Sequence, residues 1–300
     1  MQETVQKDDE AIDAAQQARA GRTSTLVSVA VNICLSAAQV GGGLLSGSQG
    51  LVADGIHSLS DLIADFAVLF AGWYSHKAAD TDHPYGHQRS ENAASLFLGV
   101  LLVAVGAGML YASVIKLENP ETIAQVSRLA LWIAMVALVA KELLFRYMMA
   151  IALRAKSTLL AANAWHARSD AASSLVVGLG IIGNLMGYTL LDPVAALIVG
   201  LLICRMGWGF AYEALHDLMD RAADEDESTR ILQTILGVAG VQGAHGLRTR
   251  KMGDMLIVDV HIEVDAGKTV REGHDIALLA RDEVLAKHHV LDVMTHVDPV

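Results

Sequence analysis

The residues with the clearest chemistry are two pairs, His57 with Asp61 and His166 with Asp170. In each, an imidazole and a carboxylate stand four apart inside a long apolar stretch, so on a helix both side chains share one face. Two such helices supply four ligands, two nitrogen and two oxygen. A tetrahedral cage of that composition suits a divalent cation, with Zn²⁺ first among them. One pair alone reads as a polar contact between helices. Two matched pairs read as a metal site, because ionisable groups in lipid are costly and mark ion paths. Asp54 and Asp65 lie on the same stripe as His57 and Asp61, as ligands in another register or as steps on the route.

Two further clusters are candidates. In Asp80-Thr-Asp-His83-Pro-Tyr-Gly-His87, one acid and two imidazoles are turned by Pro84 and Gly86. They can hold a metal with water as fourth ligand, or form a polar turn with two incidental histidines. Near the C-terminus, His245, His261, His274, His296 and Asp298 fall at strand and helix ends and suggest a second metal cluster. His288 and His289, at a helix end, read as solvated. Cys34 and Cys204 are far apart in apolar segments and suggest neither a disulfide nor a thiolate site.

The elements that must position these residues are mostly membrane helices. The 300 residues are 53% hydrophobic with a mean hydropathy of +0.40, too apolar for an ordinary soluble domain. A net charge of -11 and the lack of a basic stripe exclude nucleic acid and favour cations as partners. Six segments are long enough to cross a bilayer, near Thr23 to Leu45, Leu51 to Tyr74, Ala93 to Leu117, Ser127 to Leu153, Leu159 to Tyr188 and Leu190 to Leu215. Lys7, Arg19, Arg22, Lys77, Arg89, Arg154, Lys156 and Arg221 lie in the N-terminal tail and after the even segments, which puts both termini in the cytoplasm. In that orientation His57 lies level with Asp170, and Asp61 with His166. Glycines such as Gly41, Gly42, Gly43, Gly106, Gly108, Gly178, Gly180 and Gly183 read as close helix packing.

The expected organisation is an acidic cytoplasmic tail over 1–22 rather than a signal peptide, a six-helix membrane domain over 23–222, and a soluble domain over 223–300. The last reads as helix near Glu227 to Leu236, strands near Gly243 to Arg250 and Met255 to Val264, helix near Val270 to His288 and strand near Leu291 to Val297. Its second strand alternates, with Leu256, Val258, Val260 and Ile262 opposite Ile257, Asp259, His261 and Glu263. So small a core calls for help from metal or a partner subunit.

Together these features resemble the cation diffusion facilitator family, over nearly the whole chain. The resemblance rests on both His-x-x-x-Asp motifs, the Asp-x-x-His-Pro-Tyr-Gly-His loop, the end His296-Val-Asp298-Pro299 and Gly243 to Arg250, which is similar to the bacterial ferrous-iron and zinc efflux branch. It implies a polytopic α-helical membrane protein of six helices with a cytoplasmic α/β metallochaperone-like domain. It also implies His57, Asp61, His166 and Asp170 as the transport site, Asp80, His83 and His87 as a loop site, and His245, His261, His274, His296 and Asp298 as a two-metal site where a homodimer meets. Arg89 and Asp220 fall where the family places a charge interlock. The nearest bacterial relatives often have aspartate at position 57, and histidine there favours Zn²⁺. The expected activity is proton-coupled Zn²⁺ efflux by alternating access across the bacterial cytoplasmic (inner) membrane, with Fe²⁺, Cd²⁺, Mn²⁺ or Co²⁺ as other cargoes. A membrane-bound metal sensor or scaffold is the other class. An enzyme is not expected, since four protein ligands close the site and no spare Glu lies nearby.

Overall fold

The computed structural model describes the backbone of residues 2–75, 77–123, 125–154 and 158–300, and the side chains of these from 23 onward except 65, 68, 69, 72, 158–160, 162 and 163. Six long helices come first: α1 (Gln2–Ser46), α2 (Gln49–Ser75), α3 (Arg89–Glu118), α4 (Arg128–Arg154), α5 (Thr158–Leu185) and α6 (Leu191–Leu218). Then follow α7 (Glu225–Leu236), β1 (Gly243–Met252), β2 (Met255–Val264), α8 (Val270–Lys287) and β3 (Val290–Pro299). The bounds agree with the sequence expectation to within a few residues, except that α1 extends back to Gln2. The added stretch is rich in Ala and Gln, which favour helix whether or not lipid is present.

Among the described residues, three helices are long and apolar enough to cross a membrane by length and composition: Thr23–Ser46 of α1, α3 and α6. The remaining long helices, α2, α4 and α5, have 27, 27 and 28 residues, ample for a bilayer at about 1.5 Å per residue. All three carry ionisable residues, among them Asp54, His57 and Asp61 on α2, Lys141, Glu142 and Arg146 on α4, and His166, Arg168 and Asp170 on α5.

The chain divides into two units, residues 1–65 with 101–207 and residues 66–100 with 208–300. In the first, Leu51, Leu102, Ala130, Ala134, Val177, Ile181, Val199 and Ile203 make one core, and Leu144, Phe145, Met148, Ala164 and Ala167 a second between α4 and α5. The expected close packing holds at Gly106, where a Cβ would lie 2.9 Å from both the Cys204 nitrogen and the Gly200 oxygen of α6. It does not hold at Gly41, Gly108 or Gly178, which face open space.

In the second unit the sheet runs β1-β2-β3, with β1 and β2 antiparallel and β2 and β3 parallel. The parallel pair is joined through α8, as such a crossover requires. The alternating apolar face of β2 packs with Ile231 and Ile235 of α7 and Ile276, Ala277 and Val284 of α8. Helix α8 is started by a capping box between Thr269 and Glu272. His288 is corrected here: its side chain is only 8% exposed, with Nδ1 2.9 Å from Glu227 and Nε2 2.9 Å from Thr234, so it ties the end of α8 to α7. His289 is exposed, as expected, and sits 3.2 Å from Asp254.

Gly106→Val should destabilise the detergent-solubilised protein by about 1–3 kcal/mol through overpacking against α6, seen as a lower melting temperature. Gly108→Ala, where no atom lies within 4 Å, should leave melting unchanged.

Candidate metal centres

In the first unit, His57 of α2 sits between two carboxylates. Its Nδ1 is 3.5 Å from Asp61 Oδ2, one turn along the same helix, and its Nε2 is 4.0 Å from Asp170 Oδ1 of α5. All three side chains are at most 16% exposed. Donors bound tetrahedrally at about 2.1 Å stand about 3.4 Å from one another, so this spacing is that of a cage ready to close. The buried Nδ1 of His57 makes no hydrogen bond among the described residues, and an idle buried donor or acceptor is costly unless something else engages it. The expected levelling of His57 with Asp170 is present. His166 lies one turn before Asp170 on α5, is exposed, and stands outside the three-residue cluster. The side chain of Asp65 lies outside the described residues.

Sequence reasoning gave Asp54 as a ligand in another register or a step on the route, and missed its partner. Asp54, one turn before His57, is paired with Lys141 of α4 at 3.3 Å, with the two side chains 1% and 2% exposed. The available signal was a lysine in the middle of an apolar segment.

In the second unit, Asp80, His83 and His87 come together. Asp80 Oδ1 accepts from the backbone amides of Asp82 and His83 at 3.1 and 2.9 Å, which folds the loop around the carboxylate. His83 Nδ1 is 3.2 Å from Asp80 Oδ1, and His87 Nε2 is 3.5 Å from Asp80 Oδ2. His87 is buried against Tyr74, ring centroids 5.2 Å apart, and its Nδ1 donates to the Lys77 carbonyl at 3.3 Å. A carbonyl only accepts, so the proton is on Nδ1 and the Nε2 lone pair is left for a cation, the usual arrangement of a metal-binding histidine. Lys77 lies 2.8 Å from Asp80 and holds that carboxyl well below the usual carboxylate range. An entering cation therefore competes with an ammonium already in place.

The third cluster is written into the sheet register. His245 of β1 pairs with His261 of β2, which pairs with His296 of β3, so three imidazoles lie side by side on the exposed face. Ring centroids are 5.1 and 4.8 Å apart. Asp298, two residues after His296 and on the same face, reaches all three. Its Oδ2 is 3.0 Å from His261 Nδ1 and 3.5 Å from His245 Nε2, and its Oδ1 is 3.3 Å from His296 Nε2. The hydrogen bond from His261, with His296 and His245 beside it, pulls the Asp298 carboxyl below its ordinary range. Glu263, which sequence reasoning left as a strand residue, holds His245 Nδ1 at 2.9 Å. The register shifts after His245, where Gly246 has φ +63° and a Cβ would lie 3.2 Å from the His261 ring. His274 is exposed on α8 and lies outside this cluster.

Arg89, the first residue of α3, pairs with Asp220, whose φ is +63° in a turn after α6. Beside them Asn92 contacts Asp217 at 3.3 Å and accepts from the Gly253 amide at 3.0 Å. The expected interlock residues are thus in contact within the second unit.

The chain matches two protein families end to end: the cation efflux transmembrane domain over residues 25–219 and the cation efflux protein cytoplasmic domain over residues 223–300. It is 34% identical over 283 residues to metal tolerance protein C1 of Arabidopsis thaliana, covering 89% of this chain and 60% of that longer protein. It is 33% identical to the manganese efflux system protein MneS of Bacillus subtilis, covering 93% of this chain and 96% of that one. Magnetosome protein MamB of Magnetospira is 33% identical, with 86% and 88% covered. With both domains matched and relatives of this likeness along almost its whole length, the chain belongs to the cation diffusion facilitator family, whose members are membrane transporters of metal cations and not enzymes.

Proposed function

We propose that this protein is a proton-coupled exporter of Zn²⁺, working by alternating access as a homodimer in a bacterial cytoplasmic membrane. In this reading α1 to α6 all cross the bilayer and both termini are cytoplasmic. The observation that carries the reading is the buried set of His57, Asp61 and Asp170 donors at 3.5 and 4.0 Å. His166, one turn from Asp170, is the fourth ligand and swings in when metal arrives. The two carboxylates offset the charge of a dication stripped of water.

Coupling follows from histidine chemistry. Imidazole binds metal only when neutral, so protons and Zn²⁺ compete for His57 and His166. Zinc entering from the cytoplasm displaces protons, and protons arriving from outside displace zinc. The loop site of Asp80, His83 and His87 collects cations on the cytoplasmic side. Metal at His245, His261, His274, His296 and Asp298 stabilises the docked arrangement of two cytoplasmic domains and so links metal level to transport. Arg89 with Asp220 acts as the charge interlock.

A second cargo, Mn²⁺, is supported by the one-nitrogen, two-carboxylate set brought together without His166, since oxygen-rich sites suit harder cations. The manganese efflux relative supports it too.

The deciding experiment is metal flux into proteoliposomes under an imposed pH gradient, with Zn²⁺, Mn²⁺, Cd²⁺, Fe²⁺ and Co²⁺ supplied separately. Gradient-dependent zinc flux supports the proposal; flux of Mn²⁺ alone moves the cargo; no flux from folded dimer moves the reading to a sensor or scaffold. Asp170→Ala should abolish flux while leaving the dimer folded, and unchanged flux in that variant would remove the site assignment. His57→Asp should shift the Zn²⁺/Cd²⁺ flux ratio toward Cd²⁺. Zinc affinity measured by titration calorimetry should weaken as pH falls, because protons and metal compete for the same imidazole nitrogens.

A further inference from the structure

The buried charge next to the transport site has no place in the mechanism so far. Asp54 and Lys141 are 3.3 Å apart and almost wholly enclosed. Ion pairs this deep rarely add net stability, because desolvation consumes the attraction, so their retention calls for another role. With their partners, they join four helices. Gln39 of α1 donates to Asp54. Ser174 of α5 donates to Asp54 Oδ2 at 2.6 Å and accepts from Lys141 at 2.7 Å. Ser173 lies 3.3 Å from Asp54 Oδ1.

The same two serines also bond back to the Asp170 turn of their own helix. Ser173 donates to the backbone carbonyl of Asp170 at 2.8 Å, and the Ser174 hydroxyl is 3.2 Å from that carbonyl. Asp54 is one turn from His57 on α2, and Ser173 and Ser174 are one turn from Asp170 on α5. The two helices therefore touch at two successive levels, His57 with Asp170 and Asp54 with the serines. The second level is a multiply bonded clamp fixed to α4 and α1, whereas at the first His57 and Asp170 approach to 4.0 Å.

We propose that Asp54, Lys141, Ser173 and Ser174 are positioning residues for transport: they set the register of α2 against α5 and hence the separation of His57 from Asp170. This rests on the reading of His57, Asp61 and Asp170 as the transport site. Supporting residues of metal ligands typically change affinity by roughly 10- to 100-fold when removed.

The test uses full-length dimer in proteoliposomes with Zn²⁺ as the probe, measuring initial flux against concentration, beside melting temperature in detergent. The double variant Ser173→Ala with Ser174→Ala cuts the link to α5 but leaves Asp54 its Lys141 and Gln39 partners. The second, Asp54→Asn with Lys141→Met, removes both charges together and so strands neither. The expected result for both is a KM for Zn²⁺ raised roughly 10- to 100-fold, with kcat changed less and melting close to the parent. Parent KM in both variants overturns the proposal, as does loss of flux that only follows loss of melting temperature. Asp170→Ala serves as control: if it still transports, the site reading fails; if it is inactive while both double variants keep parent KM, only the positioning role fails.

Discussion

The organising constraint is the cost of keeping carboxylates inside apolar helices. Asp54, Asp61 and Asp170 lie in a unit with two apolar cores, where an uncompensated charge costs several kcal/mol or neutralises itself. Each must therefore face a cation or a donor. Asp54 has a permanent one, Lys141. Asp61 and Asp170 face His57 at 3.5 and 4.0 Å. In the proposed reading, that difference separates structural charge from transport charge.

The other two clusters relax the same constraint with water. At the loop, Lys77 supplies Asp80 with a resident positive charge that an arriving cation must displace. On the sheet, three imidazoles share Asp298 at the surface, and Glu263 holds one of them, His245. Access is easier in both, and the electrostatic demand on each ligand is smaller.

What the sequence made legible follows from locality. Strand β2 was readable because its alternation is a short-range pattern, and it occupies Met255–Val264 as expected. His57 and Asp61 were readable because the four-residue spacing fixes a face. Lys141 was not, because its meaning depends on Asp54, 87 residues away, and a hydropathy window averages a single lysine into its apolar neighbours. His288 was misread for the same reason: nothing near it in sequence announces Glu227, 61 residues earlier. The full extent of α1 was also missed, since a polar stretch of good helix formers gives no apolar stripe to follow.

The alignment of His245, His261 and His296 across three strands has a consequence for how the cytoplasmic cluster can vary. Side chains alternate faces along a strand, so a slip of β3 by one residue would turn His296 and Asp298 inward and expose Val293. Burying an imidazole and a carboxylate in the core of Val258, Val260 and Ile262 is prohibitive. The same apolar residues that fold the domain thus act as a proofreader for the cluster, rejecting any pairing in which its donors do not meet. In the proposed reading, cation preference can drift through exchange of one donor for another, while the place where the donors meet stays fixed by the fold.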